Sequence, residues 1–182
     1  MNVLVTGGAG FIGSHLAERL ACLGHDVRVL DVLTNTYSTE LKTLNVLQLR
    51  DRGAKILQLD LAADNLCGAV RNIEFVFHLA GQPGISAVLP FDVFARNNIL
   101  ATSRLLDALR DSRALRGFVN ISTSSVYGYD ASGDESTALA PTSSYAVSKL
   151  AAEQLVLARA RDEKLPACSL RLFSVYGPRE RP

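Results

Sequence analysis

The feature that most constrains this chain is a glycine turn close to its first residue. Val3-Leu4-Val5-Thr6-Gly7-Gly8-Ala9-Gly10-Phe11-Ile12-Gly13 leads a short apolar strand into three glycines spaced three apart, and then into a helical pattern. Gly7 permits a tight turn, Gly10 lets a ligand phosphate reach the backbone, and Gly13 lets the helix pack against the strand. The helix start presents unpaired N–H groups and the positive end of the helix dipole, which together suit a pyrophosphate. The spacing is GxxGxxG, not the GxGxxG of many dinucleotide sites.

The remainder of the chain supports such a turn. Strand patterns at Asn2–Thr6, Asp26–Asp31, Ala54–Asp60, Glu74–Ala80, Gly117–Thr123 and Ala167–Phe173 alternate with helical spacing. The helical stretches are Phe11–Leu23, Leu41–Arg52, Phe94–Arg110 and Tyr145–Arg161. In Leu41–Arg52, the residues Leu41, Leu44, Leu47 and Leu49 are available to one broad apolar face. Nearly continuous apolar strands suit a parallel sheet covered on both sides, so the expected fold is α/β, a doubly wound Rossmann-type sheet. Asp130–Ser144 is rich in Ser, Thr, Asp, Gly and Pro and reads as a surface loop. At 182 residues the chain makes one core, a single domain over 1–182. A net charge of +1 without like-charged runs gives no reason to expect a nucleic-acid partner. No apolar run is long enough for a bilayer, so a cytoplasmic protein is expected. Cys22, Cys67 and Cys168 are scattered without metal-ligand spacing and read as reduced, small core residues; no metal is expected.

Three further positions carry chemistry. Asp31 closes the second strand, where a carboxylate accepts from both hydroxyls of an adenosine ribose and repels a 2′-phosphate. That favours NAD over NADP; the alternative is a turn cap. Asp60-Leu61, ending the third strand, is placed to meet an adenine edge. Tyr145 and Lys149 form YxxxK, roughly 6 Å apart on one helical face. Bringing a tyrosine from a pKa of about 10 to near neutrality takes on the order of 4 kcal/mol, which a neighbouring ammonium and a positive nicotinamide ring can share. Ile121-Ser122-Thr123-Ser124-Ser125 ends the preceding strand and offers a hydroxyl for the substrate oxygen.

Together these motifs are specific. TGGAGFIG at Thr6–Gly13, Asp31, Asp60, HLAG at His78–Gly81, STSSVYG at Ser122–Gly128, YAVSK at Tyr145–Lys149 and LRLFSVYGPRERP at Leu170–Pro182 resemble the extended short-chain dehydrogenase/reductases of the NAD-dependent epimerase/dehydratase family. The resemblance runs along the whole chain. It implies NAD as cofactor, with Gly7, Gly10, Phe11, Ile12, Asp31, Asn35, Asp60, Leu61, Leu79, Ala80, Gly81, Gln82, Asn98, Tyr145, Lys149 and Phe173 around it. It implies catalysis by Thr123, four residues before the tyrosine of VYG, with Tyr145 and Lys149. His78 is expected to be structural. The implied reaction is transient oxidation at C4 of a nucleotide sugar, with hydride returned to the opposite face.

Within that family, dehydratases carry an Asp-Glu pair after the Thr123 position, and UDP-glucuronate decarboxylases resemble Thr-Ser-Glu there. This chain has Ser124-Ser125. His78–Gly84 and Tyr37–Lys42 resemble the UDP-glucuronate 4-epimerase branch. The expected substrate is therefore UDP-glucuronate, with Ser124, Ser125 and Ser174 around the sugar carboxylate and Arg181 on an anionic part. The branch's usual arginine is replaced by Ile85-Ser86-Ala87-Val88, which leaves a neutral UDP-hexose open. The family implies a substrate-gripping lobe past Pro182 and a possible homodimer. A second class of reading follows: a non-catalytic NAD-binding module, or one half of a split enzyme.

Overall fold

Apolar strands of four to seven residues, joined by helices, leave the chain one economical arrangement: parallel pairing with crossovers on both faces. The computed structural model describes residues 1–34, 39–84 and 89–180. Its strands are β1 (Asn2–Thr6), β2 (Asp26–Asp31), β3 (Lys55–Gln58), β4 (Phe75–His78), β5 (Gly117–Thr123) and β6 (Ala167–Leu172). They form one parallel sheet in the order β3-β2-β1-β4-β5-β6. The winding reverses between β1 and β4, and a crevice opens there at the strands' carboxyl ends.

The helices are α1 (Phe11–Cys22), α2 (Thr39–Asp51), α3 (Cys67–Val70), α4 (Phe91–Phe94), α5 (Ala101–Ala108) and α6 (Ser144–Asp162). Alternate strand residues feed two cores. Leu4, Leu30, Val76 and Phe118 meet Leu105 and Leu106 of α5 and Val156 of α6. Val3, Val5, Val27 and Val29 meet Ala17 of α1 and Leu49 of α2.

Three expectations need correction. The leucine face of α2 points outward: Leu41, Leu44 and Leu47 are exposed, and the buried side carries Lys42, Asn45, Val46 and Leu49. The stretch read as one helix from Phe94 is α4 and α5 joined by a π-helical segment, Ala95–Leu100. All three cysteines are exposed instead of core. Cys22 ends α1 and Cys67 starts the one-turn α3. Cys168 pairs in register with Val119 and lies, with the exposed Leu170, on the α1 side of the sheet, whose cover does not reach the edge strand β6. Among the described residues no helix is long and apolar enough to cross a membrane.

Close approach decides where glycine is required. A Cβ on Gly13 would run into Gly7 O and lie 2.8 Å from Gly8 Cα, both backbone. Gly13→Ala must push α1 off the turn, and we expect it to lower the urea unfolding free energy by roughly 1–3 kcal/mol. Gly68→Ala, where a Cβ meets nothing within 4 Å, should change it by less than about 0.5 kcal/mol. Equal effects would refute the packing argument.

Candidate active site

The crevice is a cleft of about 810 Å³ running from the glycine turn to α6. Its floor is the turn itself. Gly7 adopts φ +68°, and a Cβ there would lie 2.7 Å from Ala80 N. Gly7 N donates to Leu30 O at 2.7 Å and Gly10 N to Gly7 O at 3.1 Å. Ala9 is held from two sides: its N–H donates to Asp31 Oδ2 at 3.1 Å, and its carbonyl accepts from Asn45 Nδ2 at 2.9 Å. Gly10 caps α1 without a side chain, and the first turn has no acidic residue. The helix start is left to an external anion.

Asp31 and Asp60 border the cleft at the carboxyl ends of β2 and β3. Asp31 is buried, and its Oδ1 accepts from Leu33 N at 2.9 Å. Asp60 binds Arg96 Nη2 at 2.6 Å and Ala62 N at 2.8 Å. Burial works against its ionisation, yet the hydrogen bonds from Arg96 and Ala62 prevail and hold the carboxyl below the usual aspartate range. Lys42, Thr34 and Arg96 also line this end. Sequence reasoning assigned none of them to the site: Lys42 closes the Tyr37–Lys42 segment noted for its resemblance, and nothing in the spacing of Thr34 and Arg96 distinguishes them from surface polar residues.

At the other end Thr123, Tyr145 and Lys149 border the same cleft. Thr123 ends β5, and its Oγ1 accepts from Ser125 N at 3.2 Å and donates to Ser125 Oγ at 3.1 Å. Tyr145 and Lys149 lie in the first turns of α6, which Ser143 caps by accepting from Ala146 N at 3.1 Å. Lys149 is buried and donates to Ile121 O at 2.6 Å. Burial drives its pKa down to about 8, while Glu153, one turn on, pulls it upward. Glu153 is itself buried and held by Arg171, whose Nη2 reaches Oε1 at 2.7 Å and whose Nη1 reaches Tyr127 Oη at 2.8 Å. Ser122 also borders the cleft, and its buried Oγ has no hydrogen-bond partner among the described residues.

Phe11, Ile12, Leu61, Leu79, Ala80, Gly81, Gln82, Phe173 and Ser174 line the cleft as well. Asn98, expected beside the cofactor, is buried behind Gly81 and Gln82, which line the cleft. Its Oδ1 accepts from Gln82 N at 2.6 Å, and its Nδ2 donates to Ser148 Oγ at 2.8 Å. Ser124 and Ser125 are half-buried in the 3₁₀ turn after β5 and do not line the cleft wall. Asn35, Arg181 and the Ile85–Val88 stretch lie outside the described residues. Gly84 packs against Tyr145, since a Cβ there would be 2.6 Å from Tyr145 Cγ.

The sequence profile of the NAD dependent epimerase/dehydratase family matches residues 3–182. The chain belongs to this family. An uncharacterised UDP-glucose epimerase of Bacillus subtilis is 40% identical over 188 residues, covering all of this chain and 59% of that protein. UDP-glucuronic acid 4-epimerase of Bacillus cereus, solved with UDP-glucuronic acid and NAD, superposes with a TM-score of 0.93 at 38% identity. That match covers 100% of this chain and 59% of the other. A dTDP-glucose 4,6-dehydratase of Streptomyces venezuelae, solved with NAD bound, gives a TM-score of 0.87 at 31% identity, over 99% of this chain and 58% of that one. The chain thus spans a little under three fifths of these relatives. The cofactor of the family is NAD, and the site fits it: a glycine cradle that side chains would fill and an uncapped helix start both face the cleft.

His78 lies under the cofactor cleft in a directional chain of hydrogen bonds. Thr102 Oγ1 donates to Asn98 O at 2.6 Å, so it must accept from His78 Nε2, at 2.9 Å. The other ring nitrogen, Nδ1, then accepts from Thr6 Oγ1 at 2.7 Å, which in turn accepts from Ala80 N at 3.2 Å. Each partner is satisfied only by a neutral imidazole. Burial, and then the charge of Lys149, push the His78 pKa down to about 3. Between the ordinary histidine value and about 3, the unfolded chain binds a proton that the folded chain refuses. Stability is therefore full above pH 6.5 and falls as the pH drops through that window, by up to about 1.4 kcal/mol per pH unit. Urea unfolding at pH 7, 6 and 5 should show a flatter profile for His78→Gln than for the parent; parallel profiles would refute this.

Proposed function

We propose that this chain carries the NAD-binding and proton-transfer machinery of a nucleotide-sugar 4-epimerase acting on UDP-glucuronate. The observation that carries the reading is the convergence of Thr123, Tyr145 and Lys149 on the cleft that begins at the glycine turn. Bound NAD+ supplies a reversible hydride acceptor for the sugar C4. The chain's residues do the rest. Tyr145 removes the proton from the 4-hydroxyl as hydride leaves and gives it back on return. Lys149, anchored on Ile121 O and mostly protonated near neutrality, lowers the cost of the phenolate. Rotation about its Cβ–Oγ bond turns the Thr123 proton from Ser125 to the sugar oxygen.

Ser124-Ser125 supports epimerisation over dehydration, because water elimination from C5–C6 needs an acid and a base where this chain has two hydroxyls. The likeness to the Bacillus cereus enzyme, whose complex holds UDP-glucuronic acid, supports the uronate. A 4-keto uronate is a β-keto acid. Hydrogen bonds from Ser174 at the cleft, and from Ser124 and Ser125 in the turn after Thr123, would restrain loss of its carboxylate.

The test is the purified protein with NAD+ and each UDP-sugar, products separated by anion exchange. UDP-galacturonate should form from UDP-glucuronate. Turnover of UDP-glucose with none of UDP-glucuronate would remove the preferred substrate; dinucleotide binding without turnover of any sugar would leave a NAD-binding module. Tyr145→Phe should retain NADH binding and cut turnover by about 10²–10⁴-fold.

A further inference from the structure

The segment that follows β6 runs back across the carboxyl ends of the strands to the helices on the β1–β2 side. Phe173, Ser174, Val175 and Glu180 form part of the cleft wall, together with the glycine turn and Phe11. A Cβ on Gly177 would lie 3.7 Å from Phe11 Cζ, so the segment passes against the first residue of α1. His15 Nε2 then donates to Pro178 O at 2.8 Å, and the His15 ring packs edge-on to Phe11. Arg179 Nη2 donates to Glu18 Oε2 at 2.6 Å and to Gln48 Oε1 at 2.8 Å, and its Nη1 donates to Ser14 Oγ at 3.3 Å. One guanidinium is thus held by α1 and α2 at once, with its side chain only 20% exposed. Its backbone has φ +66°, a left-handed conformation that a residue other than glycine keeps only where its surroundings impose it. Nothing in the proposed proton transfer uses this residue.

We propose that Arg179 is a positioning residue, which clips segment 173–180 against α1 and so sets how fast the cofactor leaves the cleft. This rests on NAD occupying the cleft. The ladder with β5 ends at Leu172, and beyond it Glu180 N donates locally to Gly177 O at 3.2 Å. The far anchorage of the segment is therefore the side-chain cluster on α1 and α2. A single half-exposed ion pair would hold little. Three acceptors around one planar guanidinium fix a geometry that a point charge does not. Opening the clip frees one wall of the cleft and leaves the glycine turn, Tyr145 and Lys149 in place. The epimerase reading gives the clip a use: a hydride placed on the nicotinamide must return to the same sugar, so the reduced cofactor has to stay while the sugar turns over.

The test is the rate of NADH release from the full chain, followed by stopped-flow fluorescence while excess NAD+ fills the emptied site. Arg179→Met should speed release at least about fivefold, the scale of one lost charge-assisted hydrogen bond. Glu18→Gln should act in the same direction, and the double variant should be no faster than Arg179→Met alone. Arg179→Lys, which can meet Glu18 but not all three acceptors, should fall between parent and Arg179→Met. Raising salt from about 50 to 500 mM should speed release from the parent more than from Arg179→Met, because it screens the ion pair. Hydrogen exchange in the cofactor-free protein is the second measurement, and Arg179→Met should accelerate it in the peptide covering 173–180. Release at the parental rate from Arg179→Met overturns the proposal. So does faster exchange throughout the sheet, which would mark a merely structural residue. Should Arg179→Met not fold, Glu18→Gln decides by the same rate and the same peptide. A parent chain that binds no NADH overturns instead the cofactor reading on which the proposal rests, which keeps the two failures apart.

Discussion

The crevice depends on one buried chain of hydrogen bonds that crosses its floor. Thr6 at the end of β1, His78 at the end of β4 and Thr102 on α5 are linked in a single donor–acceptor order, which ends on the carbonyl of Asn98 in the π-helical segment. β1 and β4 are the strands between which the winding reverses, so the chain of bonds ties together the two lips of the opening. Its far end fixes Asn98, whose side chain grips both the N–H and the carbonyl of Gln82. Segment 79–84 is thereby suspended from β4 on one side and from the π segment on the other, which brings Gly84 against the Tyr145 ring. The π segment has a purpose here, as local widening of a helix often does at functional sites. Because every bond has a fixed direction, a proton added to His78 would break the order at Thr6.

The catalytic end rests on a different balance. In the proposed mechanism Lys149 assists a phenolate as the charged ammonium, yet it is buried, and burial favours the neutral amine. Glu153 offsets this from one turn away. A buried glutamate would itself be costly without a partner, and Arg171 supplies two nitrogens to it from β6. Arg171 also lies over the Tyr127 ring, 5.0 Å from its centroid, and so connects the strand, the helix and the turn that follows Thr123. The arrangement is one of alternating charges running from surface to site, and each member is tolerable only because the next one is present.

The parts legible in the sequence are those where chemistry and periodicity agree. β5 runs from Gly117 to Thr123 as its apolar pattern requires, and the glycine turn, Asp31 and YxxxK fall at the ends of their predicted elements. The failures occur where function overrides the hydrophobic pattern. On α2 four leucines advertised a core face, but the helix turns Lys42 and Asn45 inward, one toward Asp31 and the other to Ala9 O. Periodicity counts apolar residues and is blind to a polar side chain buried for a task. The cysteines were placed in the core by composition alone, although the chain puts them at an element end or start and on an uncovered edge strand.

The same reasoning bears on why two serines follow Thr123. The turn from Ser124 to Tyr127 is tied to the end of β5 by the Thr123 hydroxyl, which both accepts from and donates to Ser125. A carboxylate at position 125 would place a negative charge beside an oxygen at which negative charge develops when a 4-hydroxyl is deprotonated. That is useful when the carboxyl group is itself to exchange a proton with C5 or C6, and it has no task when the chemistry is confined to C4. Neutral hydroxyls accept and donate without adding charge. For an exchange confined to C4, neutral hydroxyls next to the reacting oxygen are therefore the electrostatically consistent choice, and the Ser–Ser pair supports epimerisation over elimination whatever group the sugar carries at C5.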